Sequence, residues 1–212
     1  MLCLLSVIAD QNTYNISEFT NKGNFQSMMD MNIQVFRAIN NLGTDYSFLN
    51  PFFIFIAEYT LALLIFAMLF YWFTRVKTNR LMVIAALLSV ALAEIIGKSI
   101  SMLHFNYQPF VVLSDVNQLI EKEVGNSFPS DHTIIFFAVC FTLFFFKSRF
   151  KYFWVGLALL VGLSRMWVGV HYPADVLTGA FVAVGSAYIC YKLIPKSRGI
   201  QRLLSKTNSV QQ

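Results

Sequence analysis

The chain has 212 residues, of which 57% are hydrophobic and only 13% charged; a soluble domain carries about a quarter charged residues, so the composition excludes an ordinary soluble protein. The net charge of +5 does not point to nucleic acid, because the basic residues sit in short loops between apolar runs and in the C-terminal tail. Three cysteines, Cys3, Cys140 and Cys190, are odd in number and lack metal-site spacing, so they read as small buried hydrophobes.

Residues 1–27 begin with MLCLLSVIA, nine apolar residues, too short for a span of about 20, and continue as a polar, Asn-rich stretch. They are expected to form a poorly ordered extension, with Met28, Met29 and Met31 as alternative starts. From Asp30 a helical period appears: Met29, Ile33, Phe36 and Ile39, flanked by Val35 and Leu42 and closed by Gly43. This reads as a short amphipathic helix on the membrane surface, although a core helix would show the same pattern.

Five apolar segments follow, near 51–73, 81–103, 132–146, 152–169 and 175–194. Lipid cannot satisfy free backbone groups, so each is expected to be a helix, with the third extended by a turn from Phe128–His132. The fold class is therefore all-α, a polytopic membrane helix bundle. Residues 28–195 form the membrane domain, and 196–212 a basic tail. Arg75, Lys77 and Arg80, then Lys147, Arg149 and Lys151, then Lys196, Arg198, Arg202 and Lys206 all fall at one end. The long loop 104–131 at the other end sets Asp115, Glu121 and Glu123 against Lys122. Lys and Arg accumulate on the cytoplasmic side, so that loop faces outward and the C-terminus is cytoplasmic.

Polar residues that lipid disfavours gather at the outward end: Lys98, Gln108, Ser130, Asp131, His132, Arg165, His171 and Asp175. Ionisable groups beside spanning helices are costly and mark function. Ser164-Arg165, five residues, then His171-Tyr172-Pro173-Ala174-Asp175 brings a carboxylate to an imidazole. It does so along one helix face or, as Pro173 favours, across a turn with Asp175 heading the next helix. This is either a structural His–Asp contact or an oriented nucleophile. Phe128-Pro129-Ser130-Asp131-His132 is either an ordinary N-cap or an anion site, with His132 placed to protonate a leaving oxygen. Glu94 and Lys98 are four apart and fit a salt bridge; Glu58 fits an internal hydrogen bond, and His104 a structural role.

Together these stretches resemble the type 2 phosphatidic acid phosphatase superfamily over residues 30–195. Ser164, Arg165, His171 and Asp175 match its third motif. Pro129, Ser130 and His132 match the second, with Asp131 in place of Gly. The first motif, a Lys separated by six residues from Arg-Pro, departs: Gln108-Pro109-Phe110 stands for Arg-Pro-Phe, Ser101 occupies the Lys position, and Lys98 lies one turn earlier. The Phe-Pro-Ser-Asp-His spelling, Phe36-Arg37-Ala38-Ile39 and Glu58-Tyr59 resemble the bacterial undecaprenyl-diphosphate phosphatases linked to bacitracin resistance.

The resemblance implies His171 as nucleophile, Asp175 as its orienting partner and His132 as general acid. It implies Arg165, Ser130, Lys98 and Gln108 around the phosphate, with Asp131 and Glu94 supporting. A phosphohistidine intermediate is implied, without metal or other cofactor. The implied function is hydrolysis of undecaprenyl diphosphate in the plasma membrane, recycling the cell-wall carrier lipid. The partners are then a polyprenyl diphosphate and the bilayer, with no nucleic acid and no obligate protein. Phosphatidylglycerophosphate or phosphatidate hydrolysis, or non-catalytic binding or transport of a lipid phosphate, are the alternatives. Since Gln cannot replace a bidentate guanidinium, Gln108→Arg is expected to raise activity.

Overall fold

A computed structural model describes residues 26–202; of the extension expected over residues 1–27 only 26 and 27 fall among them, where they open a helix, and Cys3 and the last part of the basic tail lie outside them. Helix α1 covers residues 26–45. A 3-10 turn (Ser47–Leu49) leads into α2 (Asn50–Glu58) and α3 (Thr60–Phe73). After these come α4 (Lys77–Leu103), the short α5 (Pro109–Val112), α6 (Asp131–Phe145), α7 (Lys151–Trp167) and α8 (Pro173–Leu193).

The five apolar segments of the sequence become α2–α3, α4, α6, α7 and α8. Helices α4 and α8, and the bent pair α2–α3, are long and apolar enough to cross a membrane. Helices α6 and α7 are shorter, at 15 and 17 residues. Fifteen residues rise about 22 Å, less than a hydrocarbon core of about 30 Å. The expected extra turn at Phe128–His132 is not formed, because α6 starts at Asp131 with Ser130 as N-cap.

Helix α6 is the centre of the bundle and packs on α4, α7 and α8. Its sequence is apolar all round, the pattern of a helix with neighbours on every side, and Ile134, Phe136, Ala138, Cys140 and Leu143 are all buried. Small residues of α4 let it approach: Ala86, Ser89, Ala93 and Gly97 are buried at three- and four-residue steps. A Cβ at Gly97 would lie 2.7 Å from Ile134 Cδ1. Without a hydrophobic drive between helices in lipid, such close backbone approach supplies the packing. Ser89 Oγ and Thr142 Oγ1, 3.1 Å apart, also satisfy each other within that interface. Cys140 and Cys190 are buried free thiols, as their apolar surroundings in the sequence suggested.

The break between α2 and α3 bends the chain by 45° at Tyr59. Two side chains intrude on the helical ladder there. Thr60 Oγ1 donates back to the Ile56 carbonyl at 2.6 Å, and Arg165 of α7 donates to the Ala57 carbonyl at 3.1 Å. Both devices are recognised causes of helix bending.

Helix α1 turns part of its apolar period onto the protein itself. Phe36 is fully buried, with its ring 5.4 Å from that of Tyr172, while Met28, Met29 and Met31 remain exposed. On the same face, Asn32 Oδ1 accepts from the Ala174 amide at 2.9 Å. Asn40 is the central pin: its Nδ2 donates to the carbonyls of Trp167 (2.9 Å) and Asn117 (3.0 Å), and its Oδ1 accepts from the Asn117 amide at 2.9 Å. A helical period states that one face is apolar, not what covers it; here that face locks the junction of α7 and α8. Gly169 completes the junction: its φ of +85° is open to glycine, and a Cβ there would lie 2.8 Å from the Asn117 carbonyl.

Candidate active site

Pro173 and the residues before it set the first half of the site. Helix α7 ends at Trp167, and the chain crosses through Gly169 and His171 before Pro173 opens α8. Pro suits the first helical turn, where its missing N–H costs nothing. Asp175 then falls at the third position of α8 and reaches back to its N-cap, accepting from the Tyr172 amide at 2.9 Å. The same Oδ2 accepts from Ser127 Oγ at 2.9 Å and lies 3.5 Å from His171 Nδ1. The turn geometry, not the single-helix alternative, is the one adopted.

His171 is buried and its other nitrogen is also engaged. Lys122 Nζ stands 2.7 Å from Nε2. Burial first, and then the charges of Lys122 and Arg165, hold the imidazole pKa well below its usual 6.5. The ring is therefore neutral near pH 7, with a lone pair on one nitrogen.

The second half is the start of α6. His132 sits in its first turn, half-buried, within electrostatic reach of Arg165, Lys122 and His171. Ser130 is its N-cap, fully buried, yet its hydroxyl makes no cap hydrogen bond. Asp131 is exposed beside it. The Ser130 amide donates to the Asp175 carbonyl at 3.2 Å, which ties the two histidine segments together.

Arg165 spends one nitrogen on the Ala57 carbonyl and lies within electrostatic reach of Glu58 and Asp131. This gives Glu58 a charge partner in place of the expected internal hydrogen bond. Nine buried side-chain polar atoms among the described residues lack a hydrogen-bond partner, and four belong to this cluster: Ser130 Oγ, Arg165 Nε, His171 Nδ1 and Asp175 Oδ1. Buried polar groups are normally satisfied. Two of the four, the Ser130 hydroxyl and Arg165 Nε, are donors of the kind an anion would take.

The residues at the first-motif positions do something else. Both ends of the Gln108 amide grip the 104–131 loop: Nε2 donates to the Glu123 carbonyl and Oε1 accepts from the Gly125 amide, each at 3.1 Å. Ser101 Oγ accepts from Asn126 Nδ2 at 2.9 Å. Gln108 is thus a buried loop anchor rather than a free donor. Lys98 is exposed and is not among the charges acting on His132, Arg165 or His171. Its expected salt bridge with Glu94 is not formed, since Glu94 Oε1 is buried without a partner, although the two groups and Asp131 lie within electrostatic reach. An exposed lysine gains little from such a pair against the entropy of its stem. His104 packs edge-on against Phe128 at 4.9 Å, a structural contact. The sequence pattern did not single out Ser127 or Lys122. Ser127 lies one residue ahead of the second motif, and Lys122 is the lone Lys or Arg of loop 104–131.

Fold and site together define a polytopic helical membrane protein with a His–Asp, His and Arg cluster at one end of its bundle. The PAP2 superfamily profile matches residues 82–198, and the chain belongs to that superfamily of phosphatases. It is 48% identical over 186 residues to the bacitracin transport permease protein BcrC of Bacillus licheniformis, covering 88% of this chain and 92% of the relative. It is 32% identical to undecaprenyl-diphosphatase BcrC of Bacillus subtilis, covering 76% and 83%. Among solved structures it resembles Aquifex aeolicus LpxE, with a TM-score of 0.62 and 29% identity over 76% of this chain and 95% of that one.

Proposed function

We propose that this protein hydrolyses undecaprenyl diphosphate to undecaprenyl phosphate and inorganic phosphate, with His171 as nucleophile. The observation that carries the reading is the His171 ring itself. It is held neutral, with one nitrogen toward the Asp175 carboxylate and the other toward cations that would attract a phosphate. The names of the two BcrC relatives support the substrate.

The steps follow from this arrangement. The Nε2 lone pair forms a bond to the terminal phosphorus while the bond from phosphorus to the bridging oxygen breaks. His132, entering this step as the imidazolium beside the anionic substrate, passes a proton to that oxygen, and undecaprenyl phosphate leaves. Asp175 faces the positive charge that develops on the phosphorylated ring. A water then attacks phosphorus and gives a proton to His132, the N–P bond breaks, and inorganic phosphate departs. Arg165 and Ser130 donate to the non-bridging oxygens, where charge builds. Asp131 and Glu58 lie within electrostatic reach of Arg165, and Glu94 lies beside Asp131.

The positive-inside distribution of Lys and Arg supports an outward-facing site in the plasma membrane with a cytoplasmic C-terminus. The long 104–131 loop and the two histidine segments then share the outer face, and residues 28–195 act as one membrane phosphatase unit.

The test is phosphate release by the purified full chain from undecaprenyl diphosphate, phosphatidylglycerophosphate and phosphatidate. Preference for the prenyl diphosphate by less than about tenfold in kcat/KM would undo the substrate assignment. His171→Ala should abolish release and still bind lipid; release at the wild-type rate would favour a non-catalytic binder carrying a contaminant.

A further inference from the structure

Resting on the histidine-nucleophile reading above, we propose that Lys122 is a catalytic residue. Its ammonium serves as the phosphate-gripping cation that the first motif lacks, and it caps the attacking nitrogen of His171 until substrate draws it away.

Three observations converge on this. The first is the contact: Nζ lies 2.7 Å from Nε2, the nitrogen that does not face Asp175. A neutral imidazole accepts there from an ammonium donor, so the lone pair needed for attack is occupied. The second is how the lysine is delivered. Loop 119–127 has no regular secondary structure, yet it is fastened on both sides of the site. Gln108 holds the Glu123 carbonyl and the Gly125 amide, immediately after Lys122. Asn126 donates to the Ser101 hydroxyl and carbonyl, and the Leu119 amide donates to the Val168 carbonyl at 3.2 Å. The two positions that depart from the family's first motif, Ser101 and Gln108, are thus both among the anchors of this loop. The loop these residues hold carries Lys122, the cation that faces His171.

The third observation is the electrostatic setting. Facing Lys122 are Asp131 and His132 from α6, Arg165 from α7, His171 from the α7–α8 crossing and Asp175 from α8. Glu121 and Glu123 flank it on its own loop and are exposed. Burial, and next the Arg165 charge, lower the Lys122 pKa to about 8, with Asp131 and Asp175 opposing. The ammonium is therefore mostly charged at neutral pH and easily redirected. A phosphate oxygen carrying formal negative charge is a stronger acceptor than a neutral ring nitrogen. Entry of a lipid diphosphate would turn Nζ onto the terminal phosphate and expose Nε2 in the same movement.

The experiment measures kcat and KM for undecaprenyl diphosphate from pH 6 to 10, using the full chain in detergent. It compares wild type, Lys122→Met, Lys122→Arg and His171→Ala, with thermal midpoints recorded as a folding control. Lys122→Met should lower kcat/KM by about a hundredfold or more at pH 7, the loss typical of a donor to developing charge. Lys122→Arg should recover at least about a tenth of wild-type activity, because the charge is retained although the fork differs from an ammonium. In wild type, kcat/KM should fall on the alkaline side with a midpoint near 8. That limb should move up by more than about one unit in Lys122→Arg, whose guanidinium stays charged. A folded Lys122→Met within about threefold of wild type would overturn the proposal, given the donor losses normally seen. An alkaline limb unmoved in Lys122→Arg would overturn it too. Wild type no faster than His171→Ala would instead overturn the nucleophile reading, and this proposal with it.

Discussion

Asp175→Asn separates the charge of the orienting carboxylate from its scaffold role. The Asp175 Oδ2 atom accepts from Ser127 Oγ and the Tyr172 amide, each at 2.9 Å. An asparagine oxygen can keep both bonds, so the turn into α8 should survive. What disappears is a negative charge 3.5 Å from His171 Nδ1. At that distance, and an effective dielectric of about 20, opposite unit charges attract by about 4 to 5 kcal/mol. On the proposed mechanism the ring is neutral before attack and positive after it, so most of this interaction appears only in the transition state. With each 1.36 kcal/mol worth a factor of about ten, kcat should fall about a thousandfold. KM should change little. The assay is steady-state phosphate release from a lipid diphosphate, with the thermal midpoint measured in parallel. A folded Asn variant within about tenfold of wild-type kcat would refute the reasoning, because the loss worked out from the carboxylate would then be absent.

Gln108→Arg should reduce kcat/KM at least about tenfold, reversing the gain expected from the motif, because a guanidinium has no acceptor for the Gly125 amide and the Lys122 loop loses a tether; a gain would show that the position serves the phosphate directly. Asn40→Ala should destabilise the protein by about 2 to 4 kcal/mol, since one buried and two partly buried hydrogen bonds lose a partner, and denaturation in detergent would show it; a change under about 0.5 kcal/mol, the scale of an ordinary surface substitution, would mean that α1 does not hold the α7–α8 junction. His171 should also leave a mark on stability. Its folded pKa is depressed below 6.5, so below that pH the unfolded chain binds a proton that the folded chain refuses. The thermal midpoint should fall as pH drops below 6.5, and His171→Gln should shrink that fall; parallel profiles would contradict the assignment of a buried neutral ring.

Much of the bundle was legible because apolar runs near membrane-spanning length have few other uses. The third-motif cluster was legible for a related reason: Arg165, His171 and Asp175 are too costly at the end of an apolar helix to be incidental. Other features were not written in any local pattern. The bend at Tyr59 depends on Arg165, more than a hundred residues away, taking the Ala57 carbonyl. The period of α1 was visible, but its docking depends on Asn32 and Asn40, polar residues that a hydrophobic reading passes over. Gln108 was read through the family motif as a weakened phosphate ligand, whereas its two hydrogen bonds go to a loop whose path no spacing rule predicts. Lys122 carried a signal, a single basic residue in an acidic outer loop. Charge counting treated it as a topology marker, because only the folded loop brings it to an imidazole 49 residues on.

The most direct test of the central claim is to find where the phosphate is covalently held during turnover. Rapid quenching in base, which preserves phosphohistidine, after mixing the enzyme with a lipid diphosphate labelled in its terminal phosphate should leave label on the peptide containing His171, and none in His171→Ala. Label on any other residue, or turnover by a wild-type enzyme that never acquires label, would contradict the account.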